Sequence, residues 1–475
     1  METPASVTVS FVLYTLAIVG VGLYSARFAS RSTSDYLLAK KGLGPWVAAV
    51  SASASSESGW VTLGLVGTAF TEGLATFWVV PGCLLGYVFN WWVMALPVHR
   101  RASEQAIYTI PDLMASVFRS RALSIRVISV GVIFFMMTAY VAAQFTAAGK
   151  AFEAVFNIRY ELGVLIGTGI VVLYTITGGF RAVAWTDFLQ GGLMFLALIF
   201  LPVMAVMEAG GWSGMMASLQ EQGPGLISAT AGKSGLLMLG LVIGWLGIGL
   251  GYPGQPHVLV RFMAARSEAA VTKGRAIAVT WGAVVFTGAV VLGLACRAIL
   301  GSLGDAEQAL PIIAIQILPG ALAGLMLAAV LAAICSTADS QLLVASSSLS
   351  HDLYARLTGK DLDSRLIVNL DRAAVSAVGI LAMLFALTES RMVFSFVLYA
   401  WAGLGAAFGP PLILGLLWKK TTSGGAIAGM IVGFATILIW KNVPALSGAI
   451  YELVPGFFLS LLTVWGVSLI LSKSD

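Results

Sequence analysis

Apolar residues run through the chain in stretches of about 20, the length a helix needs to cross the hydrocarbon core of a bilayer, and short polar connections separate them. The pattern predicts thirteen membrane segments, at about 6–26, 44–68, 73–98, 122–152, 161–178, 185–207, 234–261, 275–300, 318–350, 373–389, 393–417, 424–441 and 456–472. Only helices and closed barrels satisfy every backbone polar group inside lipid, and runs of this length are helical. The expected fold class is therefore all-α, a polytopic membrane protein with about 13 transmembrane helices. The runs leave no room for a sizeable soluble domain, so 1–475 is expected to form one transmembrane domain.

Two of these segments are interrupted in mid-span. The second contains Ser53-Ala-Ser-Ser-Glu-Ser-Gly59, and the seventh contains Gly247-Ile-Gly-Leu-Gly-Tyr-Pro-Gly-Gln-Pro256. They lie five segments apart in the count, the offset expected of a five-helix unit repeated with inverted topology. Unwound backbone at membrane depth is tolerated only where protein or a water-filled cavity satisfies it, so paired breaks point to a binding site at the bilayer midplane. In the first break Glu57 places an ionisable group at mid-membrane depth, which is costly and marks an ion or solute path; a hydrated cavity facing the carboxylate is the simplest way to lower that cost. The surrounding serines alone say less, because hydroxyls also bond back to their own helix or across packed interfaces. In the second break Gly247, Gly249, Gly251 and Gly254 free the backbone, and Pro253 and Pro256 forbid continuation. Freed carbonyls suit a cation or ammonium, and the following helix N-terminus suits a carboxylate. Together they suit a zwitterion. Trp245 and Tyr252 stand near enough to wall such a pocket, and Gln255 offers a neutral hydrogen-bonding handle.

The ninth segment holds Leu331-Ala-Ala-Ile-Cys-Ser-Thr-Ala-Asp-Ser-Gln341. Ala333, Ser336, Thr337 and Ser340 follow the i, i+3, i+4, i+7 spacing of one helix face, with Asp339 beside them. Hard oxygens in this arrangement suit a dehydrated alkali cation, and they equally suit glue between helices; Asp339 favours the ion.

With 59% hydrophobic and 10% charged residues, composition lies far from the globular average of about 25% charged. The connections holding Lys40, Lys41, Arg100, Arg101, Arg119, Arg121, Arg126, Arg261, Arg266 and, further on, Arg356, Lys360, Lys419, Lys420 and Lys473 carry most of the 27 basic residues. The alternate connections carry only Lys150, Arg159, Lys233, Arg297, Arg391 and Lys441. By the positive-inside rule the N-terminus is outside and the C-terminus cytoplasmic, in the plasma (inner) membrane. The net charge of +5 follows from this bias, so nucleic acid is not an expected partner. The first apolar stretch lacks a basic leader and reads as a retained helix. Cys83, Cys296 and Cys335 occupy separate segments and imply neither disulfide nor metal. His99, His257 and His351 fall near segment ends and are expected to be interfacial. There is no P-loop and no catalytic constellation, so an enzyme is not expected; any uphill movement of solute must draw on an ion gradient.

Several motifs carry a resemblance. Ser34-Asp-Tyr36 with Lys41-Gly-Leu-Gly-Pro45, Ser58-Gly-Trp60, Gly178-Gly-Phe-Arg-Ala-Val-Ala-Trp-Thr-Asp187, Gly251-Tyr-Pro-Gly-Gln-Pro-His257 with Arg261-Phe-Met-Ala-Ala265, and Ser336-Thr337 with Gln341-Leu-Leu-Val344 occur in order along nearly the whole chain. The chain resembles the sodium/solute symporter family, and most of all its sodium/proline symporter branch. The resemblance implies a leucine-transporter-like core of two inverted five-helix repeats, about 44–208 and 234–418, with one helix before and two after. It implies a sodium site formed by the carbonyls of Ala54, Glu57 and Ala333 and the hydroxyls of Ser336 and Thr337. It further implies a second sodium set at Asp187, Ser336, Asp339 and Ser340, and a substrate pocket at Ser58, Gly59, Trp245, Ile248, Tyr252, Gln255 and Pro256. The chain departs from the branch at Ser56, where an aspartate is usual, with the carboxylate displaced to Glu57; a shift of one residue turns a side chain by about 100°. It departs also at Lys41, Asp339 and Ile248, the last standing where a tryptophan is usual. The expected activity is symport of sodium with a small carboxylate-bearing solute, an amino acid such as proline, across the lipid bilayer by alternating access. The alternatives are a symporter coupled to H+ in place of Na+ for a related amino acid or monocarboxylate, a solute-sensing membrane receptor, or a passive facilitator.

Overall fold

The computed structural model describes residues 5–26, 33–105, 107–355, 364–388 and 392–471; of the 27 basic residues, Arg27, Arg31, Arg356, Lys360, Arg391 and Lys473 lie outside the described residues. The described residues are almost wholly helical. Their one extended pairing is a single bridge between Leu43 and Ala265, which clasps the start of the second segment to the end of the seventh through Leu43 N–H to Ala264 O and Arg266 N–H to Leu43 O, 3.1 and 2.9 Å. Ten helices among the described residues are long and apolar enough to cross a membrane, and every apolar segment read from the sequence contains helix.

The central helices are buried on nearly all sides. Gly320–Ser347 is the most enclosed, its face from Ala328 to Ala345 shut away from the surface, and it packs against Ala122–Phe156, the 160–208 helix and Ala5–Ala26. Small residues let these backbones approach closely, which is how helices associate where lipid is as apolar as leucine. Expected as two segments, 160–208 runs as one helical path whose direction changes at Gly179. There φ is +59°, and a Cβ would lie 2.7 Å from the Tyr36 ring, so only glycine serves this bend.

Two ionic clusters tie the ends of Ala122–Phe156. Near its start Arg126 Nη1 donates to Asp112 at 2.7 Å and to Asp352 at 2.6 Å, while Thr109 donates to Asp352 at 2.8 Å. Near its end Lys150 pairs with Glu307 and Asp305. Glu307 also accepts the N–H groups of Val393 and Phe394 at 3.0 and 2.8 Å, placing a carboxylate on the positive end of Val393–Leu417.

The three histidines are buried rather than interfacial. Tertiary packing around the helix ends encloses them, which position along the chain does not reveal. His99 Nδ1 lies 3.0 Å from Phe262 O, and His351 Nε2 lies 3.1 Å from Asp112 Oδ2. The three cysteines are buried and free.

Candidate ion and solute site

The Pro45–Ser56 helix stops where the sequence predicts it should. Glu57 leaves helical geometry at φ −105°, ψ 65°, and helix resumes with a wide turn at Trp60–Leu65. The backbone groups released here are taken by side chains. Gly59 N–H donates to Gln144 Oε1 at 3.0 Å, and Trp60 Nε1 donates to Ser56 O at 2.8 Å. The Ala54 carbonyl, which has lost its helical donor, instead faces the ninth segment, where the Ser336 and Thr337 hydroxyls both lie 3.3 Å away. Ser336 Oγ is also 3.2 Å from Ala333 O. Two carbonyls and two hydroxyls thus converge on one buried point, and hard oxygen ligands of this kind suit an alkali cation.

The Glu57 carboxylate takes no part in that convergence and is enclosed by protein side chains. It is fully buried, with Oε1 accepting from Tyr87 O–H at 2.7 Å and Oε2 from Trp281 Nε1 at 2.6 Å. Two aromatic donors supply what water was expected to supply, and a buried carboxylate needs such donors. Ser56, which stands where the aspartate is usual, lies 3.0 Å from the same Tyr87 hydroxyl.

A second polar cluster adjoins the first, built on Ser51 and Ser55 of the second segment. Asp187 Oδ2 accepts from Ser51 at 2.6 Å, from Ser55 at 3.2 Å and from Arg261 Nη2 at 2.9 Å. Arg261 also donates to Ser340 Oγ at 2.5 Å, to Ser51 Oγ at 3.1 Å and to His257 O at 2.6 Å. Asp187 therefore reaches the ninth segment through a guanidinium and through Ser55, which is 3.1 Å from Ser340. Asp339 stands beside Ser340 and not at the Ala54 carbonyl. Its carboxylate accepts from Tyr174 O–H at 2.8 Å and from Ser340 Oγ at 3.2 Å.

The second break follows its expected bounds. Gly235–Gly247 gives way to a tight turn at Ile248–Gly254 before Pro256–Ala264 resumes, with proline at the first helical position, where no N–H is needed. The Tyr252 ring sits edge-on to Tyr87 and to Trp401, centroids 4.8 Å apart in each pair. Tyr87 thus bridges the two breaks, its hydroxyl on Glu57 and its ring on Tyr252. Trp401 Nε1 caps the freed Ile248 carbonyl at 3.0 Å. Gln255 Nε2 donates to Gly251 O and Trp401 O at 3.2 and 3.0 Å, and Ser58 Oγ accepts Trp60 N–H at 3.2 Å. Trp245 does not join this group. It is two turns from Tyr252, half-buried, and packs on Phe394 at 5.8 Å, at the edge of a separate cavity of about 280 Å³ shared with Tyr451 and Glu452.

Sequence reasoning missed Gln144, Tyr87, Trp281, Trp401, Tyr174 and the role of Arg261. Gln144, a lone amide deep in an apolar run, carried a signal, since polar groups at that depth are rare without a partner. Arg261 looked like one more basic residue at a segment end, yet it is fully buried. Gln144 Nε2, Gln255 Oε1 and both His257 nitrogens are buried and find no partner among the described residues. They ring the two breaks and offer donors and acceptors of both kinds.

The sodium:solute symporter family matches residues 36–433. The chain is 40% identical to the high-affinity proline transporter of Bacillus subtilis (strain 168), over 95% of each. It is 36% identical to the sodium/proline symporter of Escherichia coli (strain K12), over 96% of this chain and 91% of that one. In fold it is similar to a solved sodium-coupled sialic acid symporter in a substrate-bound outward-open state, with TM-score 0.82 over 98% of each chain at 19% identity. Full-length likeness at these identities makes this chain a member of the sodium:solute symporter family.

Proposed function

We propose that this chain imports proline, or an amino acid of like size and charge, together with sodium across the plasma membrane by alternating access. The observation that carries the reading is the convergence of Ala54 O, Ala333 O, Ser336 Oγ and Thr337 Oγ1 at the point where the second segment unwinds. Sodium binds there, with the Glu57 carbonyl completing the set. The solute lies between the breaks against Ser58, Gly59, Ile248, Tyr252, Gln255 and Pro256, where unpaired amide groups of Gln144 and Gln255 meet its charged ends. Names of relatives support proline as the solute. The proposed topology has thirteen crossings, inverted repeats at about 44–208 and 234–418, the N-terminus outside and the C-terminus in the cytoplasm.

The coupling follows from where the ion sits. A cation held jointly by the second and ninth segments fixes the first break against the ninth helix and so pre-forms the wall that the solute touches. Solute then binds better with sodium present, and by linkage sodium binds better with solute present. Thermal unfolding of the purified protein over a panel of amino acids and monocarboxylates, with and without sodium, tests this. Proline at 100 times its Kd should stabilise by about 2.7 kcal/mol in sodium and far less in its absence; stabilisation by proline that ignores sodium contradicts the coupling, and stabilisation only by a different solute reassigns the substrate.

A further inference from the structure

We infer that a groove on the lipid-facing side of the protein, running from Arg181 and Lys40 to Trp281, holds one phospholipid of the cytoplasmic leaflet, its anionic headgroup on the two cations and an acyl chain along the groove. Which leaflet supplies the lipid follows from the orientation proposed above.

The groove consists of two cavities joined end to end. One, of about 540 Å³, lies among Tyr24, Gly42, Arg181 and Trp185. The other, of about 620 Å³, is walled by Trp46, Phe195 and Trp281. Phe188 and Leu189 border both, so one passage continues into the next. Apart from Thr280, the second cavity is lined only by aliphatic and aromatic side chains and glycine. From Trp185 to Phe195 the 160–208 helix rises about 15 Å at 1.5 Å per residue, half the roughly 30 Å hydrocarbon core and so the depth of one leaflet. Gly192 makes the room. A Cβ there would meet nothing within 4 Å, whereas one on the neighbouring Gly191 would stand 3.0 Å from Val50.

The mouth has a different chemistry. Arg181 and Lys40 share one carboxylate, Asp35, at 3.6 and 3.9 Å, separations too long for hydrogen bonds. Their side chains are 35% and 56% exposed while Asp35 is buried, so two cations set against one anion leave excess positive charge at the surface. Tyr24 and Trp185, both exposed, line the same mouth, and such rings settle at headgroup depth. Basic pockets between membrane helices on the cytoplasmic side bind anionic headgroups, and an apolar passage one leaflet deep beneath this one takes the attached chain. At the inner end Trp281 stacks on Phe195, with 4.6 Å and 29° between the rings, while its Nε1 holds Glu57. The chain therefore ends against the side chain that fixes the first break.

Lipid binding to the purified, delipidated full-length protein tests this, in detergent solution without sodium or solute, so that the outcome leaves the symport reading untouched. Native mass spectrometry counts retained lipid, comparing phosphatidylglycerol with phosphatidylcholine of the same acyl chains. One phosphatidylglycerol is expected to be retained in preference to phosphatidylcholine and to raise the melting temperature. Arg181→Ala and Lys40→Ala should each weaken its binding about fivefold. Gly192→Leu, which fills the groove, should also weaken it, with the melting temperature of the lipid-free protein unchanged. Glycerol phosphate, a headgroup without chains, should not compete. Equal retention of the two lipids, or a preference that all three variants leave intact, overturns the inference. Competition by glycerol phosphate overturns it too and assigns a site for free phosphate instead.

Discussion

At the scale of single residues, function rests on which buried polar atoms face which. Ser336→Ala/Thr337→Ala removes two of the four convergent oxygens. If each ligand is worth about 1.4 kcal/mol, a factor of ten, the sodium concentration for half-maximal uptake rises about a hundredfold, with less effect on the maximal rate at saturating sodium; sodium-activation curves of the variant and parent check this. Trp281→Phe takes one of the two donors from the buried Glu57 carboxylate. It should lower stability by about 1–3 kcal/mol, the cost of leaving a buried acceptor unmet, as read by thermal or chemical unfolding. Spacing along the ninth segment was enough to place Ala333, Ser336 and Thr337 on one face. It did not say where Asp339 points or that Arg261 answers Asp187, because periodicity assigns a face and not a partner across seventy or more residues of chain.

At the scale of elements, the two breaks were legible because glycine and proline punctuate a helix wherever they cluster. The bend at Gly179 falls where the pattern ends the fifth segment, at the Gly178-Gly179 pair; what the pattern did not say is that helix carries directly on beyond it. Gly249 tests the packing of the second break. A Cβ there would strike the Gly82 carbonyl, a backbone group that cannot swing aside, so Gly249→Ala should sharply reduce folded yield and transport, measured by size-exclusion profile and uptake. The cluster near the start of Ala122–Phe156 predicts a pH effect. Burial works to raise the Asp112 carboxyl, but the His351 hydrogen bond and charge and the Arg126 charge outweigh it and hold it to about 2. A depressed folded pKa contributes stability that is present above the ordinary aspartate value and lost as pH falls toward about 2. Asp112→Asn should therefore be less stable than the parent at neutral pH, and the gap in melting temperature should narrow as pH drops below about 4; a gap that does not change with pH would assign the effect to shape alone.

At the scale of the whole molecule, class and segment layout followed from the long apolar runs, and the asymmetry of basic residues gave an orientation. What composition could not give is how the segments enclose one another. That enclosure buries His257 and Arg261 and sends Trp245 to a different cavity. The central claim is that a buried oxygen cluster lets a sodium gradient drive solute inward. The most direct test is uptake of labelled proline by proteoliposomes containing only this protein, comparing an inward sodium gradient with a pH gradient in sodium-free buffer. Accumulation above the external concentration with sodium, collapsing when the sodium gradient is dissipated, is the predicted result. Equal accumulation in sodium-free buffer under the pH gradient, or equilibration without accumulation, would contradict it.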